Sequence, residues 1–266
     1  MLNIEEMVVK EIENGYGNLN AQAKVCQDII LKAIAESPFN QNITIKGGVV
    51  MRSKTKNVRR ATQDIDMDFL RYSLSDKAID EFISTINCID GIQISRFGKI
   101  EELKQQEYKG KRVYVQIKDL NDFSIECKID VGVHSKLDVS QEEYCFDIAF
   151  DDEGASLLVN SNEQMFAEKL RSLLRFGIFS TRFKDVFDMY YLKDYVDPEK
   201  LNSCLDAFVF SDKNMRENDI TDIRDRVRKI FSDNRYLSRL ASSDKNWIGD
   251  DIGITTKAIV DFLSKI

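Results

Sequence analysis

Residues 46–69 read KGGVVMRSKTKNVRRATQDIDMDF. A β-type run, Asn42 to Ile45, leads into the glycine pair Gly47 and Gly48, and a short helix is expected over 47–55. From 64 to 69 the pattern alternates. Ile65, Met67 and Phe69 point one way, and Asp64, Asp66 and Asp68 the other. Three carboxylates on one strand face repel each other unless cations sit among them. The bland alternative is a solvated edge strand carrying acidic gatekeepers. The sharper one is metal-assisted phosphoryl transfer. Glycines let backbone N–H groups approach phosphate oxygens, and paired carboxylates hold Mg²⁺, a cation that takes oxygen ligands.

Charge supports the sharper reading. The chain has 266 residues and a formal net charge of −7, which does not advertise a nucleic-acid binder. Yet between Glu36 and Asp64 there is no acidic residue, while Lys46, Arg52, Lys54, Lys56, Arg59 and Arg60 crowd in. Such a run reads either as a solvated loop or as a phosphate-facing segment.

A second alternating run, Ile125, Cys127, Ile129, Val131 and Val133, carries Glu126, Lys128 and Asp130 on its other face. Asp130 is a third carboxylate candidate and Glu126 its competitor, the choice depending on strand register. Alternation over 92–97 and 113–117 adds strands, and an antiparallel sheet with one covered face fits the pattern. Residues 99–111 read as a polar connection. Residues 135–155 read as acidic and irregular, with a short strand over 145–148.

Around this sheet, residues 4–14, 20–36 and 75–86 read as helices. Beyond residue 155 helical periodicity takes over, which divides the chain into 1–155 and 156–266. Ser161 reads as the N-cap of a helix over 162–176, closed by Gly177. At ~100° per residue Lys169 falls inside that helix's apolar arc, between Leu173 and Phe176, so it must snorkel out or meet an anion. In the next helix Arg182, Asp185 and Asp188 are spaced three apart, which allows local ion pairing as well as chemistry. Further helices are expected near 198–210, 218–232 and 254–264. The basic stretch 224–239 reads as either an RNA-facing surface or a solvated helix.

Several classes are disfavoured. Apolar and charged fractions of 43% and 31% describe a globular protein. No apolar run reaches the ~18 residues expected of a membrane span. The acidic N-terminal segment lacks a signal-peptide layout, and the five scattered cysteines show no CxxC spacing, so reduced thiols in the cytoplasm are expected. The single histidine, His134, offers no triad or zinc pattern and is expected at a strand end or in a loop.

Taken together, several motifs resemble the AbiEii/AbiGii-type nucleotidyltransferase toxins of the DNA polymerase β-like superfamily. They are Lys46-Gly47-Gly48, Arg60-Ala61-Thr62-Gln63-Asp64-Ile65-Asp66, Lys128-Ile129-Asp130, Glu163 with Ala167-Glu168-Lys169-Leu170, and Arg182-Phe183-Lys184-Asp185 with Asp188. The resemblance spans roughly residues 40–195. It implies an α+β, bilobed protein with an N-terminal nucleotidyltransferase lobe carrying a mixed or antiparallel sheet and a helical C-terminal lobe closing a cleft. It also implies Mg²⁺-dependent transfer of a nucleotide from an NTP to an acceptor, tRNA 3′ ends in the better understood relatives, within type IV toxin–antitoxin and abortive-infection systems. A cognate antitoxin follows as a partner. Carried over by position, Asp64 and Asp66 are metal ligands; Asp130, or a substrate oxygen, would complete the coordination. Gly47, Gly48, Arg60, Thr62 and Arg182 lie at the nucleotide, Lys169 contacts the triphosphate, and Asp185 (or Asp188) is the distal catalytic acid. The chain departs from the superfamily at Gly48, where a serine often contacts a phosphate. A small-molecule or protein acceptor, and a non-catalytic binding module of this fold, are the rival expectations.

Overall fold

A computed structural model of the chain describes residues 2–103, 110–136 and 138–266. Two compact units divide it. The first takes the chain up to Asn160 apart from Asp138–Ser140, and the second takes Ser161–Ile266 together with that short piece.

The first unit is built on a seven-stranded mixed sheet. Helices α1 (Ile4–Glu13) and α2 (Asn18–Glu36) precede β1 (Ile43–Lys46). Then come α3 (Gly47–Thr55), β2 (Asp64–Phe69), α4 (Asp76–Thr85), β3 (Ile92–Leu103), β4 (Gly110–Asp119), β5 (Ser124–Val133), β6 (Glu142–Ile148) and β7 (Asp151–Val159). The strand order is β3-β4-β5-β2-β1-β7-β6. β2 pairs parallel with β5, and β1 parallel with β7; the other pairs are antiparallel.

Period-two alternation decides which face is covered. Ile43, Ile45, Ile65, Met67, Val113, Val115, Ile129 and Val131 are buried. α2 packs against β5, β6 and β7. Its apolar stripe is wide, with Val25, Ile29, Ile30, Leu31 and Ile34 all fully buried. Each such aliphatic side chain contributes about 1.5–3 kcal/mol. The stripe also encloses Asp28, which pairs with Lys24, lies 3.6 Å from Arg52 of α3, and accepts the Ala149 N–H at 3.1 Å. Burial nevertheless pushes the Asp28 carboxyl above its ordinary range.

Residues 135–155 depart from the sequence reading. They contain β6 and the start of β7, a hairpin rather than an irregular stretch. Its polar side is exposed, which masks the alternation of buried Phe146 and Ile148 with Ala155 and Leu157. β7 runs through residue 155. Much of the expected connection 99–111 is strand, since β3 reaches Leu103 and β4 begins at Gly110; residues 104–109 lie outside the described residues.

The second unit is helical. It comprises α5 (Asn162–Phe176), α6 (Phe183–Leu192), α7 (Pro198–Leu205), α8 (Ile220–Phe231), α9 (Asn234–Ala241) and α10 (Ile252–Leu263). Ser161 caps α5 by accepting the Gln164 N–H at 3.1 Å. α7 ends in one π-type turn, Asp206–Phe210. α9 lies within the basic stretch and was not anticipated as a separate helix. Among the described residues no helix is long and apolar enough to cross a membrane.

Candidate active site

The β1–α3 junction explains both glycines. Gly47 has φ +66°, and a Cβ on it would lie 2.6 Å from Asp66 Oδ2, so the bare Cα gives that carboxylate its place. A Cβ on Gly48 would meet the Thr62 side chain, with Thr62 Cβ only 2.7 Å away. A serine at 48 therefore has no room while Thr62 stands there. The Thr62 carbonyl accepts from Gln27 Nε2 of α2 at 2.9 Å, which ties this loop to the core two residues before β2 begins. α3 starts without a side-chain cap from Lys46. Its first N–H groups, which have no intrahelical acceptor, start beside Asp66. Arg60 is only 3% exposed and is packed inside the loop that carries Thr62.

Strand register fixes the carboxylates. Asp66 stands opposite Lys46 on β1 and Asp130 on β5, and Asp64 stands opposite Lys128. Glu126 falls beyond the paired part of β2, so Asp130 is the neighbour. The repulsion expected among the three β2 carboxylates is relieved by cations. Lys128 Nζ lies 2.8 Å from Asp64 Oδ1 without hydrogen-bond alignment. Lys46 Nζ donates to Asp68 Oδ1 at 2.6 Å, and Asp68 lies across the bare Cα of Gly132. Asp68 is thus buried and paired with Lys46, whereas Asp64 and Asp66 are half-buried. Asp130 accepts a two-pronged contact from Arg112, Nε and Nη2 each at 2.8 Å. Its hydrogen bonds to Asp130 hold the Arg112 guanidinium above even its ordinary range. Among the described residues no three His, Cys, Asp or Glu side chains converge as a metal cluster.

In the second unit, Lys169 resolves the choice posed by its apolar arc: it meets anions. It is 9% exposed, and its Nζ lies 3.2 Å from Asp185 Oδ1 and 2.7 Å from Asp188 Oδ2. Asp188 is fully buried and also accepts the indole N–H of Trp247 at 3.0 Å. Asp185 is less enclosed, with Arg182 Nη1 3.9 Å from its other oxygen. Of the two aspartates, Asp188 is the internal anchor and Asp185 the one with a surface. Glu163 is structural, accepting the Asp197 N–H at 2.8 Å. His134 sits just past β5, its Nε2 2.9 Å from the Lys136 carbonyl oxygen.

Sequence reading missed Arg112, Gln27 and Trp247. Arg112 and Gln27 stand among well-patterned strand and helix residues, and nothing in the one-dimensional pattern links them to residues 46–69. Trp247 lies in a loop remote in sequence from Asp188 and has no periodicity to betray it.

A family model described as "Nucleotidyl transferase AbiEii toxin, Type IV TA system" matches residues 29–252. No curated protein matches the chain. Among solved structures, an antigenic nucleotidyltransferase-like protein from Paracoccidioides brasiliensis aligns at 13% identity and a TM-score of 0.47, covering 81% of this chain and 92% of that one.

Proposed function

Since this chain belongs to the AbiEii family of nucleotidyltransferase toxins, we propose that it moves an NMP from an NTP to an acceptor hydroxyl, the tRNA 3′ end, with Mg²⁺ as its metal. A protein antitoxin is the partner this reading calls for, and the cytoplasm its setting. The observation that carries the proposal is Asp66 packed against Gly47 at an uncapped helix start, with Asp64 two residues away on the same strand face. Carboxylates and phosphate-binding amides thereby meet in one place.

The donor set suits Mg²⁺: hard oxygens beside a site for phosphate. Asp64 and Asp66 would hold the ion. Asp130 is the proposed third ligand once the Arg112 fork opens; a substrate oxygen serves otherwise. Bound there, the ion supplies charge neutralisation at the phosphates. The amides at Gly47 and Gly48 donate to phosphate oxygens, and the Thr62 hydroxyl lies where a side chain at 48 would otherwise stand. Arg60 contributes by setting that loop. From the helical unit, Lys169 and Arg182 are proposed to balance the charge that builds on the triphosphate. Asp185 orients Lys169 or takes the proton from the attacking hydroxyl. The new bond joins the acceptor oxygen to the α-phosphorus, and pyrophosphate leaves.

The test is incubation with each α-labelled NTP, Mg²⁺ and total RNA. Wild type is expected to label tRNA-sized RNA, and Asp66→Ala to reduce the rate by about a thousandfold or more. Undiminished labelling by Asp66→Ala refutes the proposal. Label on a small molecule or on protein overturns the acceptor assignment alone.

A further inference from the structure

The turn between α5 and α6 has a composition that the chemistry above does not use. From Lys169 to Lys184 the chain carries five basic residues and no acidic one, against a net charge of −7 for the whole. Within this segment two large aromatics face solvent. Phe179 is 81% exposed and Phe176 48% exposed. Isolated exposed hydrophobic residues are commonplace, but two aromatic rings on one turn, flanked by guanidinium groups, are a different matter.

The turn is also built. Gly177 has φ +55°, and Arg226 of α8 lies against it, its Nη2 2.8 Å from where a Cβ would stand. Arg239 of α9 donates to the Ile178 carbonyl oxygen. Arg175 lies 5.9 Å from the Phe176 ring, and Arg182, its side chain 67% exposed, follows three residues after Phe179. The aromatic turn is therefore held from beneath by two arginines and flanked at the surface by two more. Asp185, beside Arg182, is the nearest carboxylate along the chain.

Exposed aromatic faces set among guanidinium groups are what unpaired nucleobases and their phosphates require. Bases stack on the rings, and the arginines meet the backbone. We propose that the 175–182 turn is a stacking platform for single-stranded nucleic acid, with Phe179 as the base-stacking residue. It deepens the acceptor half of the proposed reaction and rests on it for its biological meaning: an RNA end with unpaired bases is the acceptor this surface fits. Five basic residues and no acidic one between Lys169 and Lys184 favour a polyanion over a protein as primary occupant.

The test is fluorescence anisotropy of a labelled single-stranded RNA oligonucleotide with the full chain, without NTP. Phe179→Ala is expected to weaken binding roughly tenfold, and Phe179→Leu, which keeps apolar area but not the ring, nearly as much. Arg175→Ala is expected to lower the slope of log affinity against log salt by about one. Duplex RNA of equal length is expected to bind more weakly and to be insensitive to Phe179. A thermal melt confirms that each variant folds. Unchanged affinity in Phe179→Ala overturns the platform, even if Arg175→Ala weakens binding, since that outcome is plain electrostatics. If Phe179→Ala leaves RNA binding intact but abolishes capture of an antitoxin protein, the surface belongs to the protein partner and the proposal falls. Asp66→Ala separates the two readings: it is expected to bind RNA like wild type while failing to transfer, and failure of either result leaves the other standing.

Discussion

Two of the ionic clusters among the described residues are built on opposite principles. On the sheet face, each carboxylate with an identified partner is met by a single basic group: Asp64 by Lys128, Asp68 by Lys46, Asp130 by Arg112. The Lys128–Asp64 pair is partly open to solvent, where ion pairs are worth little and exchange easily, while Asp68 and Asp130 are themselves buried. In the helical unit, one lysine is shared by two aspartates, and the deeper aspartate is fully buried under an indole. Such a cluster is costly to disrupt and fixes geometry. An exchangeable pair would suit the proposed metal and triphosphate site. A locked cluster would suit the proposed role of Lys169, a group already in position when substrate arrives.

Removing Asp188 tests the locked cluster most severely. Asp188→Ala removes the nearer carboxylate from Lys169 and the carboxylate that accepts the Trp247 indole N–H. A loss of about 3–5 kcal/mol is expected, lowering Tm by on the order of 10 °C. Asp185→Asn should behave differently, holding stability within about 1 kcal/mol while nucleotidyl transfer collapses. Trp247 is the only tryptophan in the chain, so its emission reports directly on whether the cluster has opened. Equal destabilisation by both variants would erase the distinction between anchor and working acid.

A smaller effect is expected at the glycine junction. Gly48→Ala drives a methyl into Thr62 and is expected to cost about 1–3 kcal/mol. Because Thr62 Cβ itself lies 2.7 Å from the new methyl, Thr62→Ala relieves only part of the clash and Thr62→Gly the rest. Chemical denaturation of the single and double variants gives a coupling of at least about 0.5 kcal/mol if the contact is as described. Additive losses would mean that the glycine is required for some other reason.

How much of this was legible beforehand follows from the same contrast. β2 and β5 could be read because one face is buried, and a period of two then prints itself on the sequence. Lys169 could be singled out because a charge inside an apolar arc violates that helix's own periodicity. Its anchor could not be ranked: Asp185 and Asp188 look alike on a helix of known pitch, and only the burial of Asp188 under a residue 59 positions away separates them. Gly48 looked like a weak point because a side chain was missing there. The structure shows the space filled by Thr62, a substitution in three dimensions that no local pattern encodes. The β6–β7 hairpin was hidden for a simpler reason: acidic residues on its exposed side diluted the alternation.

The finest test concerns the exchangeable cluster. Arg112 engages both oxygens of Asp130, so a metal that uses Asp130 must first displace a charge-assisted fork. Arg112→Gln removes that competitor while leaving the strand in place. If the fork competes, Mg²⁺ titrated calorimetrically against the variant without nucleotide binds more tightly, by up to about tenfold, the equivalent of 1.4 kcal/mol. If Asp130 is instead a permanent partner of Arg112 and never a ligand, the released carboxylate leaves Mg²⁺ affinity unchanged and the strand pair loses stability alone. The change in one binding constant thus decides whether the third carboxylate belongs to the metal or to the sheet.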